Sequence, residues 1–228
     1  MSKASQIPDY ESYHYATEWE GKNLNDAVEK TIITKWIEPS ETCLELGGGF
    51  GRITSSLQPY FSEVVMLDFS SRNLGEAARH LDKKKTNLLR CELHQIPFRD
   101  DAFDTVVMVR VAHHLQDPQV VMKEISRIAK NRAVVIISVP NTRIRKFRNL
   151  RQSTLVAAGK QGHKIYAAPL MSYGHSSFEG PQIKSAGLFE TSLSKKLAGL
   201  KFLYLLDILT SPIWMFKPTL FLRYQVRK

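Results

Sequence analysis

Two cysteines in 228 residues, Cys43 and Cys91, are too few for a disulfide framework and form no pair at metal-ligand spacing. Both fall in stretches that read as strands, where a thiol behaves as a small buried hydrophobe. No apolar run is long enough to cross a bilayer either. The most apolar stretch, 197–216, is interrupted by Lys201, Asp207 and Pro212, whereas a span needs ~20 predominantly apolar residues. The opening residues, MSKASQIPDYESYHYATEWEGKN, contain no apolar segment of the secretory kind. These absences predict a cytoplasmic protein with no transmembrane helix and no bound metal. Internal repeats and low-complexity tracts are also missing. Acidic residues are scarce: 22 Asp and Glu against 32 Lys and Arg leave a net charge of +10. Such an excess can attract nucleic acid, an anionic membrane surface or an acidic small substrate, and it also aids solubility.

What is present suits one substantial core, with 43% hydrophobic residues in a chain of single-domain length. Val28, Ile32 and Trp36 recur at helical spacing before Pro39. CLEL at 43–46 is a short apolar run that ends at glycines, and VVML at 64–67 is a second that ends at Asp68. Ile53 and Leu57 predict a helix between them. Ser70 can cap a helix whose inner face is Leu74, Ala77, Ala78 and Leu81. A weaker strand is predicted over 88–91 and strong ones over 105–109 and 133–139. Between the last two, Asp117-Pro118 reads as an N-cap with proline at the first helical position, opening a helix with Val121, Ile125 and Ile128 inside.

Strands alternating with helices predict a parallel, doubly wound sheet with helices on both faces. Its strands are buried on both sides, so they read as continuous Val/Ile/Leu runs. Ligands in such sheets bind at the carboxyl ends of the strands. Beyond Pro140 the rhythm breaks. FETSL at 189–193 and LFLRYQV at 220–226 are predicted as a closing pair of strands, and the Ser-Ser-Phe after His175 as the start of a helix.

The segment with the most chemical content is Glu45-Leu46-Gly47-Gly48-Gly49-Phe50-Gly51, placed between a strand and a helix. Glycines at 47, 49 and 51 let the backbone turn sharply and let a ligand press on it with no Cβ in the way. The nicotinamide-type fingerprint, G-x-G-x-x-G, would put its third glycine one residue later. Asp68 ends the next strand, where a carboxylate can accept hydrogen bonds from ribose hydroxyls.

CLELGGGFGRIT, VVMLDFS, CELHQIPFRDDAFDTVVMV and VAHHLQDPQVVMKEISRIAK, in that order and spacing, resemble the class I S-adenosylmethionine-dependent methyltransferases, closest to their small-molecule, quinone-biosynthesis-like branch. The resemblance covers about residues 40–140. It implies a single α/β domain, Rossmann-like, with a mostly parallel seven-stranded sheet and a C-terminal antiparallel hairpin. Residues 40–140 would bind the donor, 1–25 and 141–180 would cover the acceptor site, the latter as an insertion, and 195–216 would be an apolar insertion before the last strand. S-adenosylmethionine would lie against Gly47, Gly48, Gly49 and Gly51, with Glu45 beside its amino group, Asp68 on its ribose and Phe69 along its adenine. Glu92 and Leu93 would flank the adenine, and Val109 the methionine moiety. Lys130-Asn131-Arg132 departs from the family, which usually has proline and two glycines in that distal turn.

The acceptor side is less defined. His113 and His114 follow the fourth strand, and either can serve as a general base or simply hold the loop. Arg110 can bind an anionic acceptor or form a salt bridge. Tyr15 and Trp19, in an N-terminus that also holds Tyr10 and Tyr13, can line the pocket or belong to a packed helix. His175 is placed on an acceptor-side loop. The basic cluster Arg143, Arg145, Lys146, Arg148 and Arg151 can hold a phosphate, a carboxylate or RNA, or be a solvated helix face. The apolar residues from 197 can touch a membrane surface, form a dimer face or pack between the last strands. The expectation is a methyltransferase for a small metabolite, monomeric or homodimeric. The competing readings are RNA methylation and a non-catalytic donor-binding module.

Overall fold

The computed structural model describes residues 11, 15–141, 168–186, 205–206, 208–210, 217 and 219–228. Helix α1 spans Tyr15–Trp19 and α2 Asn23–Thr34, followed by strand β1 at Ser40–Leu46. Then come α3 (Thr54–Leu57), β2 (Phe61–Asp68), α4 (Ser71–Ala77), β3 (Thr86–Arg90) and β4 (Phe103–Met108). The chain continues with α5 (Pro118–Ile128), β5 (Ala129–Pro140), β6 (Phe178–Ala186) and β7 (Thr219–Val226).

The strands form one seven-stranded sheet in the order β3-β2-β1-β4-β5-β7-β6. The first five run parallel, and β7 pairs antiparallel with both β5 and β6. The doubly wound architecture with an antiparallel end therefore matches the sequence reading. Alternate side chains divide between two cores. Leu44, Leu46, Val106 and Met108 face Val121, Ile125 and Ile128 of α5, while Cys43, Val64 and Val107 face Val28, Ile32 and Ile33 of α2. The caps are as the sequence implies: the Ser70 hydroxyl accepts the Asn73 N–H, and the Asp117 side chain accepts the Gln119 N–H.

Two local expectations are corrected. The segment opened by Ser176-Ser177-Phe178 is strand β6, and it is this strand that pairs with β7; FETSL at 189–193 lies outside the described residues. Cys91 sits just beyond β3 and is half-buried, whereas Cys43 is fully buried within β1. Of the apolar stretch 197–216, only 205–206 and 208–210 are described, with Leu205 and Leu209 exposed. Among the described residues no helix is long and apolar enough to cross a membrane, and no cluster suits a metal ion. Lys130-Asn131-Arg132, expected in a distal turn, lies within β5, where Arg132 takes a left-handed φ of 67° beside the register shift against β4.

Candidate active site

Strand order reverses between β1 and β4, so a crevice opens at their carboxyl ends. The glycine turn lies there, and its glycines have different tasks. Gly47 and Gly51 have positive φ, and a Cβ on them would meet Val111 at 2.3 Å and Leu81 at 2.9 Å. A Cβ on Gly48 would strike Met66 at 2.3 Å. These three are glycine because the protein's own side chains fill the space. Gly49, at φ 59°, has nothing within 4 Å of that position. It alone presents bare backbone to open space.

Asp68 closes the other side. One of its oxygens accepts the Gly49 N–H at 2.7 Å; the other accepts the Ser70 N–H at 2.9 Å and the Asn73 amide at 3.3 Å. Burial pushes its carboxyl up, against the pull of those hydrogen bonds. Glu45 is buried more deeply beneath Gly48, and the Thr54 hydroxyl donates to it at 2.5 Å. Burial raises its carboxyl to about 7; Thr54 and Arg52 lower it, and the charge of Asp68 adds to the rise. Two acids thus share a dry corner in which negative charge is poorly tolerated.

The end of β3 joins this corner. Cys91 N–H donates to the Asp68 carbonyl at 3.1 Å, and Arg90 Nε donates to the Phe69 carbonyl at 2.9 Å. Glu92 and Leu93 follow directly, exposed and half-buried respectively. Val109, 6% exposed, directly follows β4. The residues expected around a donor therefore lie at the ends of four adjacent strands, β3, β2, β1 and β4.

Beyond β4, His113 and His114 occupy a short 3-10 turn, their rings 4.0 Å apart between centroids and both half-buried. Arg110 adopts a φ of 63° and donates its N–H to the Ser138 hydroxyl at 2.7 Å. Its guanidinium pairs with the fully buried Glu29 of α2, so the salt bridge foreseen as its alternative is formed. Arg52, directly after the glycine turn, joins Glu29 at 2.7 Å and Asp26 at 2.8 Å. Burial drives the Glu29 carboxyl upward, and the two arginines outweigh it and hold the group below its ordinary range. Trp19 lies over the Arg52 guanidinium at 3.5 Å, with Arg110 at 5.6 Å. Glu29 and Arg52 were not singled out from the sequence; the available signal was a carboxylate on the apolar stripe of α2.

Other sequence candidates are placed elsewhere. His175 bonds to Ser177 at 2.9 Å, and Ser177 to Ser126 near the end of α5 at 2.6 Å. Phe178 is level with the amino-terminal half of β5, because β6 runs parallel to it. His175 is thus carried toward the opposite end of the sheet, away from His113 and His114. Of Tyr15 the backbone alone is described; Tyr10, Tyr13 and the cluster at 143–151 lie outside the described residues.

Residues 44–137 match the family described as a methyltransferase domain. An uncharacterized methyltransferase of Schizosaccharomyces pombe is 31% identical over 111 residues, 44% of this chain and 40% of its own length. Demethylmenaquinone methyltransferase of Clavibacter sepedonicus is 26% identical over 116 residues, 50% of this chain and 47% of its own length. The matched stretch spans less than half of either relative. A putative methyltransferase solved with the Haloferax volcanii Trm112 methyltransferase activator superposes with a TM-score of 0.67 at 17% identity, covering 98% of this chain and 100% of that one.

Proposed function

We propose that residues 44–137, which match the methyltransferase-domain family, form a class I S-adenosylmethionine-dependent methyltransferase domain, and that the chain methylates an oxygen, nitrogen or carbon of a small metabolite of the quinone, lipid or glycan-precursor class. The observation that carries the donor site is the opening at Gly49 beside Asp68. A nucleoside can lie against a backbone that no side chain covers, while the carboxylate accepts from its ribose. Glu45, in its ionised form, would face the donor's ammonium group. Glu92 and Leu93 would flank the adenine with Phe69, and Val109 the methionine chain.

When bound, S-adenosylmethionine supplies a methyl group already activated by sulfonium, leaving as S-adenosylhomocysteine. The chain's own contribution is chiefly alignment, holding the nucleophile ~3–3.5 Å from the methyl carbon in a water-poor site. An oxygen or nitrogen nucleophile must also lose a proton, and His113 or His114 would accept it. Arg110 is committed to Glu29, so it acts here as a wall rather than an anion clamp. The quinone-like acceptor draws support from the demethylmenaquinone methyltransferase relative. RNA gains no comparable support: the described basic run Lys83–Lys85 precedes β3 and sits at the end of the sheet opposite the glycine turn.

The test is isothermal titration with S-adenosylhomocysteine, followed by turnover assays on quinol, lipid and glycan-precursor acceptors. Micromolar binding that Asp68→Ala abolishes is expected. Unchanged affinity in Asp68→Ala would overturn the site, and binding without turnover on any acceptor would favour the non-catalytic reading.

A further inference from the structure

Glu45 is buried beneath the glycine turn, and among the described residues Thr54 alone donates a hydrogen bond to its carboxylate. Thr54 is the first residue of α3 and is fully buried, so water cannot readily take the place of its hydroxyl. Its Oγ1 lies 2.5 Å from Oε2 of Glu45 and 3.0 Å from the thioether sulfur of Met66. The hydroxyl carries a single proton and serves one of these acceptors at a time. A bond to a charged acceptor is about twice as strong as a neutral one, and a thioether accepts weakly. Ionised Glu45 therefore takes the proton. When Glu45 is protonated, its own hydrogen fills the gap between the two oxygens and the Thr54 hydroxyl turns to Met66. The arrangement accommodates both states and favours the charged one.

The other neighbours do not duplicate this bond. Arg52 gives its hydrogen bonds to Asp26 and Glu29, and reaches Glu45 only through its charge. Asp68, at the end of β2, opposes ionisation, and Cys43, two residues back along β1, is held neutral by burial. Across the sheet Glu45 is flanked by Met66 of β2 and Val107 of β4, neither of them charged. Burial raises the Glu45 carboxyl to about 7, and the Thr54 bond is the largest influence in the opposite direction.

We propose that Thr54 is a positioning residue of the donor site: its hydroxyl holds one oxygen of an ionised Glu45 and leaves the other to the donor's ammonium group. This deepens the donor site argued above and rests on it. Thr54 touches neither the donor nor a reacting atom. It acts by keeping Glu45 ready for a cation, so its contribution is largest at a pH where Glu45 would otherwise be protonated.

The experiment is titration calorimetry with S-adenosylhomocysteine, which keeps the ammonium group and lacks the sulfonium charge. Full-length wild type, Thr54→Val and Thr54→Ser are compared from pH 6 to 9. Valine keeps the shape of the side chain without the hydroxyl; serine keeps the hydroxyl. Asp68 and the donor's own amine titrate in all three, so the ratio of dissociation constants isolates Glu45. Thr54→Val should bind about tenfold more weakly at pH 6, as for a Glu45 carboxyl about one pH unit higher. That gap should close by pH 9. Thr54→Ser should stay within about twofold of wild type throughout. Thr54→Ala is read in the same way should the valine variant fail to fold. A ratio that is constant across the range marks a purely structural role and overturns the proposal, as does a Thr54→Val that matches wild type at pH 6; either leaves the donor site standing. No heat of binding in wild type overturns both.

Discussion

Donor affinity should rise with pH, because Glu45 must ionise before it can pair with the donor's ammonium group. Burial has raised this carboxyl from an ordinary 4.5 to about 7, so near pH 6 most of the free protein carries it neutral. Binding a cation beside it would draw the value back down. If it returned to its ordinary position, the interval from 4.5 to about 7 would be worth about 3 kcal/mol, at 1.36 kcal/mol for each pH unit. That is an upper bound, and about tenfold between pH 5.5 and 7 is the realistic expectation. The sign for the free protein is opposite. Between the two values the folded state holds a proton that the unfolded state has released, so stability falls as pH rises from 4.5 to about 7 and then levels. Donor should therefore protect against heat more strongly at pH 7.5 than at 5.5. Above ~8 the donor's own amine begins to lose its charge and the gain reverses. Titration calorimetry in buffers of different ionisation enthalpy should detect proton release on binding at pH 6. Glu45→Gln should abolish that release. A dissociation constant that stays flat from pH 5.5 to 7.5, or a slope that survives in Glu45→Gln, would refute the reasoning.

The glycines should separate into two classes. Gly49→Ala should fold, at a cost of about 1–2 kcal/mol for a left-handed alanine, yet lose donor affinity; Gly47→Ala, whose Cβ meets Val111 at 2.3 Å, should be destabilised more, with both read by denaturant melts beside calorimetry. Arg52→Ala should cost about 3–5 kcal/mol by leaving a buried carboxylate with half its pairing, whereas the exposed Lys83→Ala should leave the urea midpoint unchanged. Lowering the pH below 4.5 should erode the contribution of Glu29, since a depressed carboxyl stabilises above its unfolded value and stops doing so once protonated; Glu29→Gln should flatten that acid limb. Removing both imidazoles, as His113→Asn with His114→Asn, should slow turnover of a hydroxyl or amine acceptor about 100-fold or more with donor affinity kept; an unchanged rate would reduce the pair to loop packing.

The donor half was legible because its constraints are local. A parallel strand buried on both faces must read as Val, Leu and Ile, and a turn with left-handed residues against packed side chains must be glycine, so CLELGGGFG announced β1 and its turn together. Ser70 and Asp117 bond N–H groups two or three residues ahead, and such short loops show in sequence. Glu29 did not stand out, because its partners Arg52 and Arg110 lie 23 and 81 residues away and only folding brings them together. Strand β6 was missed for a different reason. Glu179-Gly180-Pro181-Gln182 breaks the alternation expected of a strand, and its register shifts between Glu179 and Gln182, so the more regular FETSL looked the better candidate. His175 was misplaced along with it, since its position follows from the direction of β6.

The carboxylate of Asp68 offers about four lone pairs, and three are already spoken for by Gly49, Ser70 and Asn73. One direction is left for the sugar. A nucleoside stripped of one vicinal hydroxyl should then bind nearly as well as the parent, provided the remaining hydroxyl is the one that reaches this oxygen. Its positional isomer should be rejected, so a pair of deoxy analogues would read out which of the two the protein counts.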